Sequence, residues 1–124
     1  MAGRRKRKLS DTGLTQDIIE EIRRLLGCFL HIEEAFVFGS RAKGTFYTGS
    51  DIDIAVRGKE INDNDVAALW AVFDGSLIPY FVDIVDYEHI LDCSLKQHID
   101  RVAIPIYKKE KAKAGKRMYR NEDF

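Results

Sequence analysis

The stretch VFGSRAKGTFYTGSDIDIAV spans Val37–Val56. An apolar run stops at Gly39-Ser40, and after residues 41–50 two aspartates, Asp51 and Asp53, flank a single isoleucine. Alternation along Asp51–Val56 sets both carboxylates on one face of a strand and Ile52, Ile54 and Val56 on the other. Two like charges side by side cost folding free energy unless something positive sits between them. A glycine at a strand end lets the backbone approach a ligand closely. A helix starting at Ser40 would turn its unpaired N–H groups toward phosphate, with Arg41 and Lys43 adding positive charge beside them.

On either side of this stretch the apolar spacing changes period. Leu14, Ile18, Ile19, Ile22, Leu25, Leu26 and Phe29 recur at helical spacing, which predicts a helix over Leu14–Leu30. Asp11 or Thr12 is the expected cap and Gly27 lies near the end. Ala35–Phe38 reads as a short buried strand, and residues 40–50 as a loop or short helix. Asp63 or Asn64 is expected to cap a helix presenting Val66, Leu69, Trp70 and Phe73. Pro79 interrupts the chain before a strand at Tyr80–Val85, and a helix over Tyr87–Val102 is expected to start from Asp86. Ile104–Tyr107 is extended, because a residue before proline avoids the helical region. The order is α-β-β-α-β-α with a last short strand. It predicts an α/β (α+β) fold: a small mixed sheet with helices packed on one face and the aspartate face open.

A chain of 124 residues is one domain. No apolar run approaches the ~20 residues of a membrane span, and MAGRRKRKLS lacks the apolar stretch of a secretory signal. The formal charge is zero but unevenly spread: residues 4–8 are all basic, and from Lys108 onward seven basic residues face three acidic ones. Residues 9–107 are left with 8 basic and 17 acidic residues, a net of −9. The chain divides into a basic flexible tail at 1–10, a domain at 11–107 and a charged tail at 108–124. Nucleic-acid contact through the basic ends stays open, although a duplex reader carries its basic charge on a folded face. Cys28 and Cys93 read as reduced core or near-core thiols of a cytosolic protein. His31, His89 and His98 have no zinc-site spacing, and His98 reads as an ordinary surface residue.

The tempting short motifs fail. Gly39–Thr45 lacks the lysine of a P-loop, and Ala55 stands where a calcium loop needs an oxygen ligand. Asp83 is the informative third acid: it lies inside the apolar strand Tyr80–Val85, where an unpaired carboxylate is expensive. Pairing with Arg57 or Arg101 is the ordinary explanation. If this strand lies beside Asp51–Val56, three carboxylates converge on one face. Two magnesium ions resolve that repulsion, because magnesium prefers carboxylate oxygens together with phosphates and water. Such a pair would clamp the attacking and leaving oxygens of a nucleotidyl transfer.

The pattern G-S-x(10)-D-x-D, at Gly39, Ser40, Asp51 and Asp53, with Asp83 as third acid, resembles the minimal nucleotidyltransferases of the polymerase-beta-like superfamily. The segment SLKQHIDRVAIPIY is similar to the closing part of these domains, and the resemblance covers roughly residues 18–107. It implies that Gly39 and Ser40 hold a triphosphate, that Asp51 and Asp53 bind both metals, and that Asp83 binds the catalytic metal and helps deprotonate the acceptor. It also implies an antitoxin that uses ATP and magnesium to transfer AMP to a tyrosine of a HEPN ribonuclease toxin. The chain's size points the same way, toward a partner protein as acceptor. A nucleotide-regulated binding module, a nucleic-acid-binding repressor and self-association into a homodimer stay open.

Overall fold

The computed structural model describes residues 7–110. The first helix, α1, spans Gln16–Leu26, two residues inside its expected start, with Thr15 as cap accepting the Ile18 N–H at 3.3 Å. Asp11 and Thr12 are not its caps. Asp11 closes a reciprocal box with Lys8 around the turn Leu9–Asp11, and the Thr12 hydroxyl donates to the Leu9 carbonyl at 2.6 Å. At the far end Gly27 donates to Arg23 and stops the helix, so Leu30 falls outside it and stands exposed.

Strand β1 (Glu34–Phe38) runs straight into a single short helix, α2 (Gly39–Lys43), and the chain returns as β2 (Ile52–Arg57). Helix α3 (Asp63–Asp74) is capped by Asn62, one residue before the expected Asp63 or Asn64. Strand β3 is Val82–Asp86. The helix expected over Tyr87–Val102 is split. Asp86 caps only the turn Tyr87–His89. Asp92 then takes the N–H groups of Ser94 and Leu95 and starts α4 at Cys93–Val102. A side-chain acceptor in mid-sequence competes with the helix ladder and begins a new helix. Strand β4 (Ile104–Lys108) closes the fold.

The sheet order is β3-β2-β1-β4. β1 is antiparallel to both β2 and β4, whereas β2 and β3 run parallel through the α3 crossover. Ala35, Val37, Ile52, Ile54, Val56, Val82, Ile84, Ile104 and Ile106 form one face, against which Ile19, Ile22, Leu25 and Leu26 of α1 and Leu69 and Phe73 of α3 pack. Those helices lie on one face, as expected. The opposite face is only partly open: Phe38 and Ala55 form a second, smaller cluster with Ile99 of α4. A helix started by Asp92 falls back onto that face because Leu95, Ile99 and Val102 make its apolar stripe.

Contacts with the fold extend past both expected bounds, residue 11 and residue 107. Arg7 donates to the Asp11 carbonyl at 2.8 Å, and Leu9 packs against the core. The Lys109 N–H donates to the Glu33 carbonyl at 2.8 Å. The rest of both expected tails, 1–6 and 111–124, lies outside the described residues. Both cysteines are exposed rather than core: Cys28 sits just past α1 and Cys93 is the first residue of α4. Among the described residues no helix is long and apolar enough to cross a membrane.

Candidate active site

Phe38, Asp53 and Asp83 lie in one row across the sheet, Asp53 opposite Phe38 on one side and opposite Asp83 on the other. The two carboxylates therefore stand one strand spacing apart, about 5 Å between backbones. Asp51 is exposed just before β2. Burial, then Asp83, then Asp51 push the Asp53 carboxyl up to about 6. Burial and Asp51 also raise Asp83, against the lowering effect of the Ile84 N–H. Arg57 is not the partner of Asp83: its guanidinium bonds the Glu88 carboxylate at 2.8 and 3.0 Å and lies over the Tyr87 ring.

Gly39 ends β1 at a positive φ of 73°. A Cβ added there would overlap the Asp53 carboxylate, so both the backbone angle and the close approach require glycine. The Gly39 N–H donates to His98 Nε2 at 3.3 Å. Ser40 follows in the first turn of α2, which no side chain caps. Lys43 is exposed in its last turn.

Arg41 departs from expectation. It is 2% exposed. Its guanidinium donates to the Thr12 carbonyl at 2.9 Å and to the Ser50 carbonyl at 2.9 and 3.2 Å. The rings of Phe46 and Tyr80 lie 5.1 and 4.5 Å away. The guanidinium is committed to these carbonyls and rings, and those bonds tie the loop from α2 to Asp51 to the turn at Thr12. Arg41 follows Ser40 around the helical turn, which aims it at the interior beside buried Ala42.

His98 is half-buried rather than an ordinary surface residue. Its ring meets Phe38 edge-on at 6.1 Å. Burial, Lys43 and Arg101 hold its pKa below the usual histidine value. One sequence signal could have found it: His98 is spaced three from Leu95 and four from Val102, on the apolar stripe of α4.

The donor set around Asp53 is made of hard carboxylate oxygens whose mutual repulsion a divalent cation would relieve. Among the described residues no three His, Cys, Asp or Glu side chains converge closely enough to share one ion as they stand.

The family model for the polymerase beta nucleotidyltransferase domain matches residues 20–112. The chain belongs to that family. Among curated proteins none matches it. It is similar in structure to a toxin–antitoxin solved with AMP-PNP, at 23% identity and TM-score 0.60, covering 78% of this chain and 76% of that one. It is also similar to a chain of the tri-AMPylated Shewanella oneidensis HEPN toxin in complex with MNT antitoxin, at 21% identity and TM-score 0.60, over 77% and 74% of the two chains. A nucleotidyltransferase from Sulfolobus solfataricus matches at 29% identity and TM-score 0.51, over 90% and 96%. At the identities of the two toxin–antitoxin structures the likeness is one of fold.

Proposed function

We propose that this protein transfers a nucleoside monophosphate, AMP from ATP, to a hydroxyl of a partner protein, and that the partner is a HEPN ribonuclease toxin for which it is the antitoxin. The observation that carries the transferase reading is the register pair Asp53–Asp83 beside a glycine that only the absence of a Cβ lets approach. The antitoxin reading is supported by the fold shared with a toxin–antitoxin holding AMP-PNP and with a complex of an AMPylated toxin.

Asp51, Asp53 and Asp83 are the residues that would hold magnesium, two ions in the reading proposed here, and side-chain rotation from neighbouring strands would bring their oxygens together. Magnesium bound there supplies neutralisation of the triphosphate and of charge developing on the leaving pyrophosphate. Gly39 lets the turn lie against the Asp53 carboxylate, the Ser40 N–H and hydroxyl donate to a phosphate, and Lys43 adds positive charge. Asp83, whose proton affinity is raised, takes the proton of the incoming hydroxyl. The hydroxyl oxygen bonds the α-phosphorus as the bond to the bridging oxygen breaks, and pyrophosphate leaves.

A second reading is a binding module that neutralises its partner by contact, with nucleotide regulating affinity. It is favoured by the carboxylates' not converging as they stand. A repressor acting through the basic ends rests chiefly on residues outside those described. The deciding experiment incubates the purified protein with its genomic neighbour, ATP and magnesium, and weighs the neighbour by intact-mass spectrometry. The expected result is one or more AMP adducts, absent with Asp51→Ala/Asp53→Ala. A full-yield adduct with that double variant refutes the site. No adduct, with the neighbour still neutralised, establishes the contact reading.

A further inference from the structure

α4 reaches across the aspartate face to the Gly39-Ser40 turn, and His98 is the side chain it delivers there. The imidazole Nε2 accepts the Gly39 N–H at 3.3 Å, while the ring edge rests on Phe38, the residue before the turn. Gly39 is thereby held from two sides: its N–H by His98, and its Cα by the Asp53 carboxylate, which fills the space a Cβ would need. Its φ of 73° is one that glycine adopts readily and other residues rarely do. The next peptide is that of Ser40, so fixing Gly39 fixes where the Ser40 N–H and hydroxyl point. The Gly39 N–H itself is spent on His98 and is not the phosphate donor.

The electrostatics agree with the geometry. Only a neutral imidazole can accept at Nε2, which places its proton on Nδ1. Burial and the nearby charges of Lys43 and Arg101 favour that neutral form.

We infer that His98 is the positioning residue of the triphosphate-binding turn: it holds Gly39 so that Ser40 faces the nucleotide, without touching the nucleotide itself. This inference rests on the proposed nucleotidyltransferase reading of the same site. Two crossed substitutions test it. His98→Phe keeps a ring against Phe38 and removes the acceptor, whereas His98→Gln gives up the ring and keeps an acceptor oxygen. Affinity for ATP with magnesium is measured by calorimetry, and exchange of the Gly39 amide by NMR. His98→Phe should exchange the Gly39 amide faster and bind ATP about tenfold more weakly, the loss of one hydrogen bond. His98→Gln should stay within about threefold of wild type in both, as a retained acceptor allows. Should His98→Phe fail to fold, His98→Gln alone decides, because a tenfold loss there overturns the inference. Full binding by His98→Phe assigns His98 to packing and overturns it as well. A wild type that binds no nucleotide overturns the transferase reading and this inference with it; a wild type that binds while His98→Phe binds equally overturns this inference alone.

Discussion

At the Asp53 carboxyl, burial and two neighbouring acids raise the pKa to about 6, above the value near 3.9 of an unfolded aspartate. The native state thus holds this proton more tightly than the unfolded chain does. Below about pH 4 the group costs nothing; its cost grows as pH rises through 6 and is complete above that. Because the carboxyl is only half-buried, solvent screening reduces the cost to about 1–2 kcal/mol. Asp53→Asn is therefore expected to melt above wild type at pH 8, without metal, and to melt with it at pH 4, followed by circular dichroism. A variant melting clearly below wild type at pH 8 would show that Asp53 is held by a favourable partner. The same residue explains the cluster's legibility: an acid at alternate positions of an apolar strand violates the hydrophobic pattern visibly. His98 violated nothing, since a histidine on a half-buried helix face is ordinary, and its contact with Gly39 spans 59 residues.

Among the elements, α2 and the loop after it depend on Arg41. Its Nε, Nη1 and Nη2 donate to the Ser50 and Thr12 carbonyls, and the planar cation lies over the rings of Phe46 and Tyr80. Lysine is a point charge and cannot reproduce this fork. Arg41→Lys is expected to lower stability by about 2–4 kcal/mol in urea denaturation, from carbonyls left unpaired in the interior. If apo stability were unchanged and ATP affinity fell, Arg41 would be a phosphate ligand after all, as its place after Gly-Ser first suggested. α4 teaches a related lesson. The apolar spacing across Tyr87–Val102 reads as one helix, but Asp92 offers a carboxylate to two backbone N–H groups and begins a new one. Capping chemistry decided that boundary over periodicity.

For the molecule as a whole, an acidic cluster on an acidic domain is a liability that ligand relieves. Anything that binds only the native state stabilises it by RT ln(1 + [L]/Kd), about 2.7 kcal/mol at a hundredfold excess over Kd. Magnesium with ATP is expected to raise the melting temperature by about 10 °C, roughly what such a free energy produces in a domain of this size. ATP without magnesium should do much less, and the Asp51→Ala/Asp53→Ala variant should respond to neither, all read by differential scanning calorimetry. An equal shift in that variant would place the nucleotide elsewhere on the protein. The residues 9–107 carry a net charge of −9, so a metal-free site repels a triphosphate.

Local pattern alone determined the strands that carry Asp53 and Asp83, the glycine that follows β1, and helices α1 and α3, because period-2 and period-3.6 spacing, caps and turn residues act over a few neighbours. Only the tertiary structure decided that β2 and β3 are parallel neighbours in a register that sets Asp53 against Asp83. It alone turned Arg41 inward and brought α4 over the aspartate face with His98 at Gly39. Those outcomes depend on contacts between residues far apart in the chain, where burial of whole faces chooses the partner and no short stretch of sequence contains the choice.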